Sequence, residues 1–244
     1  MAAERPDWEW YRHASELVAE GRLDEAERVA ASALEAGHLW RVSLLPAPAL
    51  EALRGREVFE SVAAEGRRRV AARNLKPSVL IVKPARMANL TPLLLAFHGS
   101  AGNAAAELER WRQAAELGYI VASGQSSQPA TADGFCWDPP RERVWQDLNA
   151  IIGALPLHAR VVLAGFSQGA WVALNAALSG DVVVAGGVIM VAPFGGPTAN
   201  LERAWRRLRI AVLVGEEDVY RADVGRLAHD LEARGHHLWL EIIP

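Results

Sequence analysis

The spacing of apolar and polar residues along this 244-residue chain changes near Lys76-Pro77. Before that point, apolar positions recur at helical intervals. "WEWYRHASELVAEG" places Trp10, Ala14, Leu17 and Val18 on one face and stops at Gly21. "EAERVAASALEAG" follows and stops at Gly37, and a third helical pattern runs from about Val58 to Arg73. Asp24 and Glu27 have the spacing of a capping box, which satisfies free N–H groups at a helix start. After Pro77 the pattern alternates. "SVLIVKP", "PLLLAFHG", "YIVAS", "RVVLAGF", "VVVAGGVIMVAP", "RIAVLVG" and "HLWLEII" read as strands. "NAAAELERWRQAAELG", "RVWQDLNAIIGAL", "QGAWVALNAALSG" and "RADVGRLAHDLEARG" read as the helices between them. Short strands that are apolar on both faces and separated by helices predict an α/β fold, with a mostly parallel sheet covered on both sides. The expected organisation is a helical region over residues 1–75 and a sheet domain over 76–244.

The two N-terminal helices, joined by "GRLD", resemble one tetratricopeptide hairpin, but one hairpin is not a repeat and predicts no solenoid. "WRVSLLPAPALEALRG", with its paired prolines, reads as a connector. Homodimerisation, a lid over a pocket and simple stabilisation are the roles open to this region.

Composition narrows the class. At 51% hydrophobic and 23% charged residues, the chain is globular. A net charge of −3 without a long basic run argues against nucleic acid as a partner, and Arg67-Arg68-Arg69 reads as a solvated helix face. Cys136 is the single cysteine, so no intrachain disulfide forms, which fits a reducing, cytoplasmic compartment. "MAAERPDWEWYRH" carries charge where a signal peptide has its apolar core. The longest apolar run, Val182 to Phe194, is 13 residues, and a membrane-spanning helix needs about 20. No H-E-x-x-H or clustered ligand spacing points to a metal, and no cofactor is called for.

The candidate chemistry lies in "AGFSQGAW". Gly165-Phe166-Ser167-Gln168-Gly169 follows an apolar strand and opens a helix, the setting of a nucleophile elbow. Glycine two positions before and two after Ser167 fits a turn too tight for side chains. The alternative is that Ser167 is an ordinary helix cap, which needs no flanking glycines. A nucleophilic serine also needs donors for the oxyanion. The backbone N–H of Gln168 is one candidate. "LLLAFHGSAGN" supplies the other, the N–H of Ser100, in a loop where Gly99 and Gly102 permit close backbone approach. The acid is expected after a later strand, and "RIAVLVGEEDVY" offers Asp218, with Glu216 and Glu217 as alternatives.

"AFHGSAGN", "GFSQGA" and "LVGEEDVY", in this order, resemble the phospholipase/carboxylesterase family of α/β-hydrolases, which includes the acyl-protein thioesterases. The resemblance covers about Ser78 to Pro244 and leaves out the N-terminal helices. It implies an α/β-hydrolase sheet, a serine esterase or thioesterase, and a small acyl ester as substrate. "DGFCWDPPRERVWQDL" resembles the family's loop ahead of the nucleophile strand, which implies that Trp137 lines the substrate pocket, with plain packing as the alternative. His98 precedes the nucleophile, whereas the base follows it in this chain order. It is therefore expected to order the oxyanion loop at the edge of that pocket.

The resemblance also implies a histidine just after the last strand. The sequence ends "LWLEIIP", so the base is expected beyond Pro244. His236 and His237 precede that strand and His229 falls in a helix, so none of them is expected to serve. Two further readings stand beside the esterase: a peptidase of the same fold, and a non-catalytic scaffold with an inert hydrolase domain.

Overall fold

The computed structural model describes residues 6–38, 48–73, 75–88, 90–130, 134–138, 141–156, 160–180, 186–194 and 207–244. Much of the proline-rich connector, residues 39–47, and residues 182–185 of the longest apolar run lie outside them.

The helical pattern before Lys76 forms α1 (Pro6–Ala19), α2 (Leu23–Glu35), a 3-10 turn (Pro48–Leu53) and α3 (Glu57–Ala72). Gly21 and Gly37 follow the first two helices at φ 75° and 89°, the left-handed geometry that ends a helix. Ala14, Leu17, Ala26, Ala30, Ala33, Leu50, Leu53, Phe59 and Ala63 bury one cluster, whose alanines let the helices approach closely.

The capping box, however, is not formed. α2 starts behind Arg22 with no side-chain cap. Asp24 and Glu27 both bond Arg56, and Glu27 also accepts the Phe59 N–H at 3.1 Å. Phe59 is the third residue of α3. Glu27 thus caps a different helix, 32 residues away in sequence.

All seven strand patterns after Pro77 enter one sheet: β1 (Ser78–Val82), β2 (Leu93–Phe97), β3 (Ile120–Gln125), β6 (Val161–Phe166), β7 (Gly187–Val191), β8 (Arg209–Gly215) and β9 (His237–Ile243). Between β3 and β6 lies a small ribbon, β4 (Gln128–Pro129) against β5 (Phe135–Cys136), which the apolar pattern does not reveal. The sheet order is β1-β3-β2-β6-β7-β8-β9. All neighbours run parallel except β1, which is antiparallel to β3 at one edge.

The four predicted helices also form: α4 (Ala104–Trp111), continued by a 3-10 turn, α5 (Arg141–Gly153), α6 (Gln168–Ser179) and α7 (Arg221–Ala233). Leu93, Leu95 and Phe97 of β2 face a large cluster shared with α5, α6 and α7. Leu94 and Ala96 face the opposite side, against Leu108 and Trp111 of α4. This two-sided burial explains the unbroken apolar run in β2. At the far edge, β9 leaves Trp239, Leu240, Ile242 and Ile243 exposed. Among the described residues, no helix is long and apolar enough to cross a membrane.

β3 lies on one side of β2 and β6 on the other, so the winding direction reverses between β2 and β6. Loops leaving the carboxyl ends of two such strands diverge and open a crevice. The loop after β2 and the turn after β6 are the segments carrying Ser100 and Ser167.

Candidate active site

Ser167 has φ 51° and ψ −115°, one of three non-glycine residues with positive φ among those described. A serine in this sparsely populated region is held there by its surroundings. Its side chain makes no cap bond to α6, so the ordinary cap geometry does not apply. Its N–H donates to the Val191 carbonyl at 2.8 Å, tying the turn to the end of β7. The flanking glycines have two different causes. A Cβ on Gly165 would lie 2.2 Å from the Gly169 carbonyl oxygen, across the turn itself. A Cβ on Gly169 would lie 2.0 Å from the Phe97 carbonyl oxygen, in the neighbouring strand β2. The first glycine closes the turn, and the second lets α6 rest on the strand that leads into the Gly99–Gly102 loop.

That loop passes close to the serine. A Cβ on Gly99 would meet the Ser167 Cβ at 3.3 Å and the Phe166 ring at 2.8 Å. Gly102 N–H donates to Gly99 carbonyl at 3.0 Å, closing a turn over half-buried Ser100 and over Ala101, which takes φ 54°. Gln168 is the first residue of α6, where backbone N–H groups have no acceptor within the helix. Ser167, Gln168 and the Ser100 loop are therefore together at one end of the sheet.

Asp218 lies at the same rim, in the turn after β8. It is half-buried, and its Oδ1 accepts the Tyr220 N–H at 2.8 Å. Glu216 and Glu217 are exposed. One strand, β7, separates β6 from β8, so the strands leading to Ser167 and Asp218 lie about 10 Å apart at about 4.8 Å per strand. A gap one strand wide therefore lies between the two turns.

None of the described histidines occupies that gap. His13 and His229 are exposed on α1 and α7, and His38 follows α2. His236 and His237 lie at the opposite end of the sheet, where His237 N–H bonds the Leu208 carbonyl ahead of β8. His158 is outside the described residues. His98 is 1% exposed behind the Gly99–Gly102 loop. Its Nδ1–H donates to the Gly99 carbonyl at 2.9 Å, and its Nε2 accepts from Ser126 N–H at 3.4 Å and faces the Gln125 amide at 3.3 Å. Burial drives its pKa down to about 4, against the Gly99 bond, so it is neutral at pH 7.

Trp137 is likewise buried, at 4% exposure. Its indole N–H donates to the His98 carbonyl at 3.0 Å, and its ring lies 5.0 Å from the His98 ring. Both residues sit beneath the Gly99–Gly102 loop and hold it, and present little surface to a substrate.

Several participants carry no sequence signal. The Gln168 carboxamide accepts Trp137 N–H and donates to Asp138 Oδ1, each at 2.9 Å. Asp147 of α5, 2% exposed, accepts from Ser127 N–H at 2.8 Å and from the Ser127 hydroxyl at 2.9 Å, fixing the segment after β3. Arg110 lies 4.5 Å over the Phe166 ring, next to the serine, and pairs with buried Glu107. Burial pushes the Glu107 carboxyl up, opposed by Arg110 and the Trp111 indole.

This sheet, its topological switch point and the strained serine turn define an α/β-hydrolase fold. Solved structures agree. Esterase PE8 superposes with a TM-score of 0.57 at 18% identity, over 69% of this chain and 89% of that one. An uncharacterized protein from Bacillus cereus ATCC 10987 gives 0.56 at 24% identity, over 99% of this chain and 81% of that one, so its match includes the helical region. Est1E from Butyrivibrio proteoclasticus, solved with ferulic acid bound, gives 0.50 at 16% identity, over 70% of this chain and 86% of that one. No family model matches the sequence, and no curated protein matches it.

Proposed function

We propose that the chain is a serine hydrolase that cleaves carboxylic esters or thioesters through an acyl-enzyme on Ser167. The observation that carries this reading is the backbone of Ser167, at positive φ between two glycines that have no room for a Cβ, beside the Gly99 loop. In this mechanism the Ser167 hydroxyl attacks the substrate carbonyl, and the N–H groups of Ser100 and Gln168 bind the developing oxyanion. Asp218 orients an imidazole that takes the serine proton and passes it to the leaving group, after which water releases the acyl group. β9 brings the chain to this rim, since Ile243 pairs with Gly215 and its carbonyl accepts the Glu216 N–H at 2.8 Å. Among the described residues, no histidine stands beside Ser167 to supply that imidazole.

The fold neighbours that are esterases support an ester substrate. Two separate apolar clusters support a division near residue 75 into a helical unit and a hydrolase domain. The lone, buried Cys136 is consistent with a cytoplasmic protein. A second reading, an inert hydrolase domain serving as a scaffold, is favoured by one observation: no described histidine lies between Ser167 and Asp218.

A fluorophosphonate probe separates the two. Covalent labelling of the full-length protein at Ser167, lost in Ser167→Ala, supports the hydrolase, and an unlabelled serine supports the scaffold. Parallel assays on p-nitrophenyl acetate and an aminoacyl p-nitroanilide separate esterase from peptidase.

A further inference from the structure

Gln168 contributes a backbone N–H to the proposed oxyanion hole, but its side chain is engaged elsewhere. The carboxamide is buried, with the residue 8% exposed, and is bonded at both ends, to Trp137 N–H and to Asp138 Oδ1. The segment it grips also holds the other arm of the hole. Phe135 N–H donates to the Gly102 carbonyl at 2.7 Å, and the Trp137 indole N–H donates to the His98 carbonyl at 3.0 Å. Residues 135–138 therefore form a strut between the start of α6 and the loop that carries Ser100.

We propose that the Gln168 carboxamide is a positioning residue: by clamping residues 137 and 138 it fixes the spacing of the two oxyanion donors. This rests on the hydrolase reading above. The two donors sit on different elements. The N–H of Gln168 is set by the β6–α6 turn, whereas the Ser100 loop spans from β2 to α4. An oxyanion donor works only at about 2.7–3.1 Å from the oxygen, so a few tenths of an ångström of drift in the loop costs rate. An amide suits the clamp because it accepts at one end and donates at the other. A carboxylate in its place would still accept from Trp137 N–H, but would set a second negative charge against Asp138.

The test uses that asymmetry in the full-length protein. Gln168→Glu is expected to lower kcat on p-nitrophenyl butyrate by about 10- to 100-fold, with KM changed by less than about twofold. Hydrogen exchange in peptides covering 98–102 and 135–138 speeds up. Adding Asp138→Asn reverses the polarity of the pair, so the new amide at position 138 donates to the new carboxylate at 168. The double variant is expected to return to within about threefold of wild-type kcat and to slow exchange again. If Gln168→Glu does not fold, Gln168→Met, of similar volume and without the amide, carries the same expectations for kcat and exchange. Wild-type kcat in the single variant overturns the proposal, and so does a double variant as slow, and as fast-exchanging, as the single. Failure of the hydrolase reading shows up separately, as no phosphonate labelling of wild-type Ser167. The exchange measurement then still decides whether the clamp holds the loop.

Discussion

Gly169, the second residue of α6, lies against the backbone of Phe97 at the end of β2, where a Cβ would fall 2.0 Å from the carbonyl oxygen. Strand and helix cannot separate without disturbing the Ser167 turn, so Gly169→Ala is expected to destabilise the protein by about 3 kcal/mol or more. Gly225, inside α7, provides the contrast, since a Cβ there meets nothing within 4 Å. Gly225→Ala is expected to stabilise by about 0.5–1 kcal/mol through helix propensity. Urea unfolding of both variants checks the pair, and equal effects of one sign would refute it.

His98 makes stability depend on pH. Its ordinary pKa of 6.5 is lowered to about 4 by burial. Above pH 6.5 both folded and unfolded chains hold it neutral, and it contributes no slope. As pH falls below 6.5 the unfolded chain takes up a proton that the folded one refuses, so stability falls until about pH 4. Between pH 7.5 and 5 the loss amounts to about 2 kcal/mol. His236 is shifted the same way, chiefly by burial, and adds to the slope. His98→Asn removes only the first contribution, so its unfolding free energy should fall less steeply over this range than that of wild type.

The elements were legible because each apolar run was short, bounded by glycine or proline, and buried on both faces, as in "LLLAF" and "RVVLAGF". The elbow was legible because its two glycines stand at fixed offsets from Ser167. What escaped the sequence depends on partners distant along the chain. The carboxamide of Gln168 meets Asp138, and Asp147 meets Ser127, 30 and 20 residues apart. β4 and β5 are two residues each, too short for any periodicity.

Glu27 is the sharpest case of that limit. Its spacing from Asp24 suggested a local cap, whereas its carboxylate accepts from Phe59 N–H in α3. Glu27→Ala is expected to cost about 1–2 kcal/mol, the usual range for a lost cap. Glu27→Gln keeps an acceptor for Phe59 and should cost less. Thermal unfolding orders the three proteins, and an alanine variant as stable as wild type would remove Glu27 from this role.

No described histidine stands beside Ser167, and this gives a kinetic expectation. The hydroxyl of Ser167 is a weak nucleophile without a base, and loss of the base in a comparable serine enzyme costs about 10⁶-fold in rate. A polypeptide of residues 1–244 should therefore turn over p-nitrophenyl acetate only slightly faster than buffer. Free imidazole at high concentration is expected to raise that rate in proportion to its neutral fraction, and not in Ser167→Ala. Ordinary enzyme rates from residues 1–244 would mean that a base sits among them.

Under the proposed mechanism, Asp218 is the acid favoured over Glu216 and Glu217. The strand register places all three at the same rim, so position along the sheet does not separate them. Orientation does. Tyr220 N–H grips Oδ1 of Asp218, and the Asp218 carbonyl accepts Arg221 N–H at 3.0 Å, so the turn fixes both backbone and carboxylate. An acid that steers an imidazole must itself be held, and the two exposed glutamates carry flexible side chains that lose more rotamer freedom on being fixed. In the full-length protein Asp218→Asn should lower kcat by about 10⁴, since an amide presents the wrong partner to the imidazole N–H. Glu216→Gln and Glu217→Gln should each stay within about twofold. Steady-state rates on one ester decide among them, and a larger loss at either glutamate than at Asp218 would move the acid by one or two residues along the same turn.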